Sequence, residues 1–265
     1  MVAFAVRGFE WISLAYFATL GAAALVRPLP PASRRLVTVA AAATCAIVVL
    51  AARFAGDGVR SLLPLALILI GYFVSAWFAV TPSRAFERWL LSWDRRWLGD
   101  PTTRFAHWPR AVLALLEIAY MGCFLLVPAG LAALRLEGAS WAVIDRYWSQ
   151  VIASEFGSFV SLTCVFARPP WVLDERAALP DRTVHRTARR FVERLTIRAN
   201  TFPSGHAAGS LAVALGTISA LPTFGLIMLI LAVAISVAAV VGRYHYAADI
   251  VAGVCLALVA FVILG

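Results

Sequence analysis

Long blocks of apolar residues alternate along the chain with short junctions that carry most of the charge. Eight blocks are long enough to span a bilayer, which takes about 20 helical residues per crossing. They cover roughly 9–26, 36–54, 61–80, 111–134, 147–167, 205–222, 224–242 and 247–264. A soluble all-helical protein would instead show shorter stripes repeating at helical spacing. The pattern predicts an all-α, polytopic membrane helical bundle of about eight transmembrane helices. The first block follows Arg7 as a signal peptide would, but Glu10 and Trp11 at its start and seven further spans favour a retained helix. Leu221-Pro222-Thr223 is the shortest junction and predicts a tight hairpin.

Two longer connections have patterns of their own. In 81–110, Trp89, Trp93 and Trp97 recur every fourth residue with Phe86 on the same face, and Arg84, Arg88, Arg95 and Arg96 lie beside them. That arrangement suits a helix lying in the headgroup layer, the plain alternative being packing against the bundle. The connection 168–204 holds eight Arg against four acidic residues. Within it the apolar stripe Val184, Ala188, Phe191, Leu195 predicts a short surface helix.

Composition sharpens this picture. The chain is 62% hydrophobic and only 14% charged, too little polar surface for a soluble domain of 265 residues. All 23 basic residues are Arg, and the net charge is +9. Guanidinium suits anionic phosphate because it stays charged and offers forked donors. The charge sits in loops between spans, which fits an anionic membrane surface or substrate and makes nucleic acid a poor partner. Cys45, Cys123, Cys164 and Cys255 all fall inside apolar blocks and read as small core residues rather than disulfides or metal ligands.

Of the four histidines, His107 and His185 lie in connections without a recognisable partner. His206 closes the string Asn200-Thr201-Phe202-Pro203-Ser204-Gly205-His206 at the start of the sixth span. Pro and Ser ahead of an apolar block are helix-start signals. A helix N-terminus presents unpaired N–H groups that suit phosphate. Gly205 permits close backbone approach, Ser204 offers a hydroxyl and His206 a proton. A capped helix start explains the Pro and Ser but not the adjoining His.

The second string is Gly242-Arg243-Tyr244-His245-Tyr246-Ala247-Ala248-Asp249. His245 and Asp249 share a helical face, so the carboxylate can fix the imidazole tautomer and leave the other nitrogen free to attack. Such a pair is more often a structural hydrogen bond. Beside Arg243 at a span entrance it is less easily set aside. Arg168-Pro169-Pro170, at the exit of the fifth span, alone reads as a snorkelling anchor. Counting crossings from the fifth span brings Arg168, His206, Arg243 and Asp249 out on one membrane face.

Together these strings resemble the type 2 phosphatidic acid phosphatase superfamily, whose members include lipid phosphate phosphatases, glucose-6-phosphatase, vanadium haloperoxidases and some sphingolipid synthases. The resemblance implies a six-helix phosphatase-like catalytic core at 59–265, with two accessory transmembrane helices at 1–58. It implies that His245 is the nucleophile, that Asp249 orients it and that His206 protonates the leaving group. Arg168, Ser204, Gly205 and Arg243 would hold the phosphate. No metal and no cofactor is implied. Where the family has a Lys seven residues before the first Arg, this chain has Ser161, and Arg198 is a candidate replacement for that charge. The family's third-motif Arg falls at Ala239, and the form Gly-Arg-Tyr-His-Tyr is closer to the inositol phosphorylceramide synthase-like branch.

Three functions follow as expectations: a phosphatase acting on a lipid phosphate such as phosphatidate or a polyprenyl phosphate, a lipid phosphotransferase with an alcohol acceptor, and a transporter or scaffold. Glu117 and Glu155, inside spans, give the third some footing, though hydrogen bonds to neighbours such as Tyr120 or Ser158 explain them as well. The expected partners are a membrane lipid phosphate and the bilayer. The side carrying the strings holds 18 Arg against five on the other. The positive-inside rule then sets the site on the cytoplasmic face of a bacterial inner membrane.

Overall fold

The computed structural model describes residues 5–99, 101–173, 187, 190, 196–197 and 199–265. The predicted stripe Val184, Ala188, Phe191, Leu195 and the candidate residue Arg198 lie outside the described residues, as does His185. Among the described residues the secondary structure is helical and has no strands.

The helices are α1 Gly8–Val26, α2 Pro31–Phe54, α3 Asp57–Ser75, α4 Arg84–Leu98, α5 Pro101–Ala106, α6 Arg110–Leu136, α7 Trp141–Phe159, α8 Pro170–Leu173, α9 Gly205–Ile218, α10 Pro222–Val241 and α11 Ala247–Leu264. Six of these, α1, α2, α3, α6, α10 and α11, are long and apolar enough to cross a membrane. The chain is an integral membrane protein. The other two predicted spans differ for separate reasons. α7 carries Asp145, Arg146 and Glu155, and it ends at Phe159 in a 3-10 turn over Val160–Thr163. α9 has 14 residues, which at about 1.5 Å each reach about 21 Å, short of the bilayer's hydrocarbon thickness.

α9 is the axis of the bundle, packed against α6, α7, α10 and α11. In lipid there is little hydrophobic drive to bring helices together, so small residues that let backbones approach matter more. α9 buries Gly205, Ala208, Gly209, Ala212 and Gly216. A Cβ added to Gly209 would lie 1.9 Å from Glu155 Oε1 of α7, so the glycine leaves that carboxyl the place it occupies. The core continues into the N-terminal helices: the Tyr16 ring of α1 stacks on Phe156 of α7 at 4.0 Å, and the Tyr16 hydroxyl donates to Gly71 O.

Polar ties fasten both ends. At one end Arg7 pairs with Asp57 and Asp145, Arg60 donates to Glu10 at 2.5 and 2.7 Å, and Trp148 Nε1 donates to Ser61 O. At the other, Arg27 donates to Cys164 O, and Ser83 N–H donates to Phe166 O. Cysteine placement departs from expectation. Cys164 and Cys255 are exposed rather than in the core: Cys164 lies in the turn that follows Val160–Thr163, and Cys255 sits on a face of α11 that an apolar membrane helix can turn to lipid as well as to protein.

The Trp-bearing connection is helical, as its spacing predicts. Ser83 caps α4 by accepting the Phe86 N–H, and Phe86, Trp89, Trp93 and Trp97 form a continuous aromatic ladder. Trp89 and Trp97 are each 44% exposed, while Leu90 is buried with Tyr246 and Ala248. α4 therefore has an outward aromatic edge and an inner face docked on the bundle.

Candidate active site

The Ser204 cap sets the start of α9, just after a cis Phe202-Pro203 bond. Ser204 Oγ accepts the Ala207 N–H, Thr201 Oγ1 accepts that of Gly205, and the Ser204 N–H donates to Asp249 O at 3.0 Å. α11 comes close enough for this last bond through Gly253, where a Cβ would lie 2.6 Å from Ser204 O. The string that ends in His206 is thereby laid directly against the string Gly242 to Asp249. The segment before Arg168 joins them through the Asn200 N–H, which donates to Ala167 O, and through Phe202 N–H on Ser161 Oγ, the position where the resemblance leads one to look for Lys.

His206 projects from the first turn of α9 and His245 from the connection before α11. His206 Nδ1 and His245 Nε2 lie 3.2 Å apart. His245 Nδ1 faces Asp249 Oδ2 at 3.3 Å, and that oxygen also accepts the Tyr246 N–H at 2.9 Å. The carboxylate thus holds the far nitrogen and turns Nε2 toward His206. Burial lowers the His245 imidazole to about 4, so the ring is neutral near pH 7 and its lone pair is available.

Both rings line a cavity of about 360 Å³, together with Gly205, Thr201, Ser210, Pro169 and Trp171. Its other walls are mostly apolar: Leu65, Ile68 and Leu69 from α3, and Phe124, Val127 and Pro128 from α6. Leu69 is 59% and Phe124 38% exposed, so the apolar side opens toward the surface of the bundle.

Sequence reasoning missed the wall formed by α6. Tyr120 stacks on Tyr244 at 4.3 Å and on His206 at 5.0 Å, and Phe124 meets His206 edge-on at 5.8 Å. Glu117 accepts the Tyr244 hydroxyl at 2.8 Å. Ser158 donates to Ser154 O, not to Glu155, whose carboxyl borders the cavity against Gly205 and Gly209. The aromatic spacing of α6 carried no sign of these contacts, because they depend on how α6 lies across α9.

The two predicted phosphate-binding arginines are near the rings in the fold but are engaged elsewhere. Arg168 forms a two-pronged pair with Glu87 of α4, at 2.8 Å through both Nε and Nη2. Its guanidinium holds the Glu87 carboxyl below the usual carboxylate range. Arg243 Nη1 donates to Asp94 of α4 at 2.8 Å, beside a second cavity. Burial pushes the Asp94 carboxyl up, against the pull of the Ala247 N–H and Arg243. Arg243 has φ 62°, in the left-handed region that favours glycine. Among the described residues no cluster of His, Cys, Asp and Glu forms a metal site.

The arrangement offers a neutral nucleophilic nitrogen, a second imidazole beside it and a helix N-terminus. A PAP2 superfamily model matches residues 145–264 of the chain. No curated protein and no solved structure matches it. Phosphatase-type activity on a phosphorylated substrate goes with that family.

Proposed function

The chain carries a PAP2 superfamily segment at residues 145–264, and from that premise we propose that it is an integral membrane lipid phosphate phosphatase working through a phosphohistidine. The observation that supports this most is the row Asp249, His245, His206, which aims one imidazole nitrogen into a cavity with an apolar wall.

His245 Nε2 attacks phosphorus in line while the bond from phosphorus to the leaving oxygen breaks. Protonated His206 gives its proton to that oxygen, and the lipid alcohol departs. Water then attacks the phosphohistidine, His206 takes the water proton, and inorganic phosphate leaves with His245 neutral again. Each part has a physical warrant: positioning, an orienting carboxylate, proton transfer at hydrogen-bond reach, and cations for the phosphoryl oxygens. Arg168, Arg243, Ser204 and Gly205 are the groups proposed to hold those oxygens. With the rings 3.2 Å apart there is no room for a phosphoryl group between them, so binding must part them.

The catalytic unit is proposed as 59–265, with α1 and α2 as accessory helices. The proposed setting is the cytoplasmic face of a bacterial inner membrane. A second reading, transfer of the phosphorylated group to an alcohol, is favoured by the string Gly242-Arg243-Tyr244-His245-Tyr246.

The test is phosphate release from phosphatidate and polyprenyl phosphates by purified protein, wild type beside His245→Ala. Release without an added alcohol, lost in the variant, supports the phosphatase. Turnover that needs the alcohol supports the transferase. A variant as active as wild type would end both.

A further inference from the structure

Glu87 and Asp94 stand seven residues apart on α4, hence on one face, and both are buried. Glu87 takes three hydrogen bonds from a single residue: the Arg168 N–H at 3.0 Å, Nε at 2.8 Å and Nη2 at 2.8 Å. It therefore fixes the backbone and the guanidinium of Arg168 together.

Asp94 does something different. One oxygen accepts from Arg243 Nη1 and the other from the Ala247 N–H, each at 2.8 Å. Residues 243 and 247 lie two positions either side of His245, so one carboxylate spans the loop that carries the ring. The loop includes Arg243 in a backbone conformation that a residue with a Cβ disfavours, and that needs holding. Two cross-links join the loop to the segment fixed by Glu87. The Tyr246 hydroxyl donates to Arg168 O at 2.9 Å, and the Trp171 N–H to Arg243 O at 3.1 Å.

Buried ion pairs are weak sources of stability, because the cost of desolvation rivals the attraction. What they supply well is geometry. We propose that Glu87 and Asp94 are positioning residues of the phosphoryl-transfer site. Asp94 fixes the 243–247 loop, and so the aim of His245 Nε2, while Glu87 fixes Arg168. The inference rests on His245 being the nucleophile.

The experiment uses the full chain in detergent, with kcat, KM and melting temperature measured on phosphatidate in mixed micelles for Asp94→Asn, Asp94→Glu, Glu87→Gln and His245→Ala. Asp94→Asn is expected to lower kcat by about 100-fold, the scale of loss from misplacing a reacting group, with KM and melting little changed. Asp94→Glu should recover part of that loss. Glu87→Gln should act mainly on KM.

A wild-type kcat in Asp94→Asn with His245→Ala inactive overturns this proposal and leaves the function standing. A lower KM at unchanged kcat also overturns it, since the carboxylate would then be a competitor of the substrate phosphate. So does a loss of kcat that tracks melting and that Asp94→Glu fails to relieve. An active His245→Ala removes the function and this proposal with it. Should Asp94→Asn not fold, Glu87→Gln decides, and wild-type kcat and KM there overturn the proposal.

Discussion

His206 Nδ1 lies 3.2 Å from His245 Nε2, although α10, a whole membrane span, separates the two residues in sequence. The tight Leu221 junction reverses the chain, α10 runs back along α9, and the return brings the second imidazole to the first. Neither ring has this neighbour without the hairpin.

Removing either ring is expected to have unequal effects. His245→Ala should abolish turnover and the acid-labile phosphoprotein trapped by rapid quench. His206→Ala should slow turnover by roughly 100- to 10,000-fold, the range for loss of a proton-transferring group, and still allow some labelling. Labelling in His245→Ala equal to wild type would refute the assignment.

The pH dependence follows from burial of His245. The proposed attack requires a neutral His245, which burial lowers to about 4, and a protonated His206, which burial and the neighbouring ring lower to about 3. Activity expressed as kcat/KM, corrected for the substrate phosphate's ionisation near about 6, should keep its His245 base on the acid side until about pH 4 and decline as pH rises above that, because His206 loses its proton. An acid limb at about 6.5, the value of an exposed histidine, would contradict this.

Much of this was legible along the chain, and what was not has a common cause. The long spans and the strings around His206 and His245 are local patterns, set by hydropathy and by helix-start chemistry. The partners of Arg168 and Arg243 are not local. Glu87 and Asp94 lie about 80 and 150 residues away from them, on a helix whose aromatic ladder drew attention to its other edge. Nor did the pattern reveal that α9 is too short to cross a bilayer, because its small residues score as apolar whether they face lipid or protein.

The pair Glu87–Arg168 gives a stability prediction. The Glu87 carboxyl is held below the usual range by the Arg168 guanidinium. A lowered folded value means its contribution is complete above the usual carboxylate range and is lost as pH falls through the folded value. The difference in melting temperature between wild type and Glu87→Gln should be constant near neutrality and shrink only in strong acid. A difference that is lost already near pH 6 would show that the Glu87 carboxyl is not held below the usual range.

Gly253 permits the contact between α11 and the Ser204 turn. Gly253→Val should destabilise the protein by about 1–3 kcal/mol, the usual cost of overpacking, and should lower kcat as well. Unchanged melting and activity would mean that the 2.6 Å approach has no consequence.

Sidedness is open to direct labelling. Arg88 is exposed on α4, and an R88C variant lacking the native cysteines should resist membrane-impermeant thiol reagents in intact cells and react in inverted vesicles. The reverse would turn the proposed orientation over.

Glu87, Asp94, Glu117 and Tyr120 all precede residue 145, where the family match begins. A fragment beginning there would keep both imidazoles, yet lose the carboxylates that accept from Arg168, Arg243 and the Tyr244 hydroxyl. On the proposed function, the half of the chain that carries the imidazoles is not self-sufficient: its chemistry would be written in one stretch and its scaffolding in another, and the two would have to be inherited together.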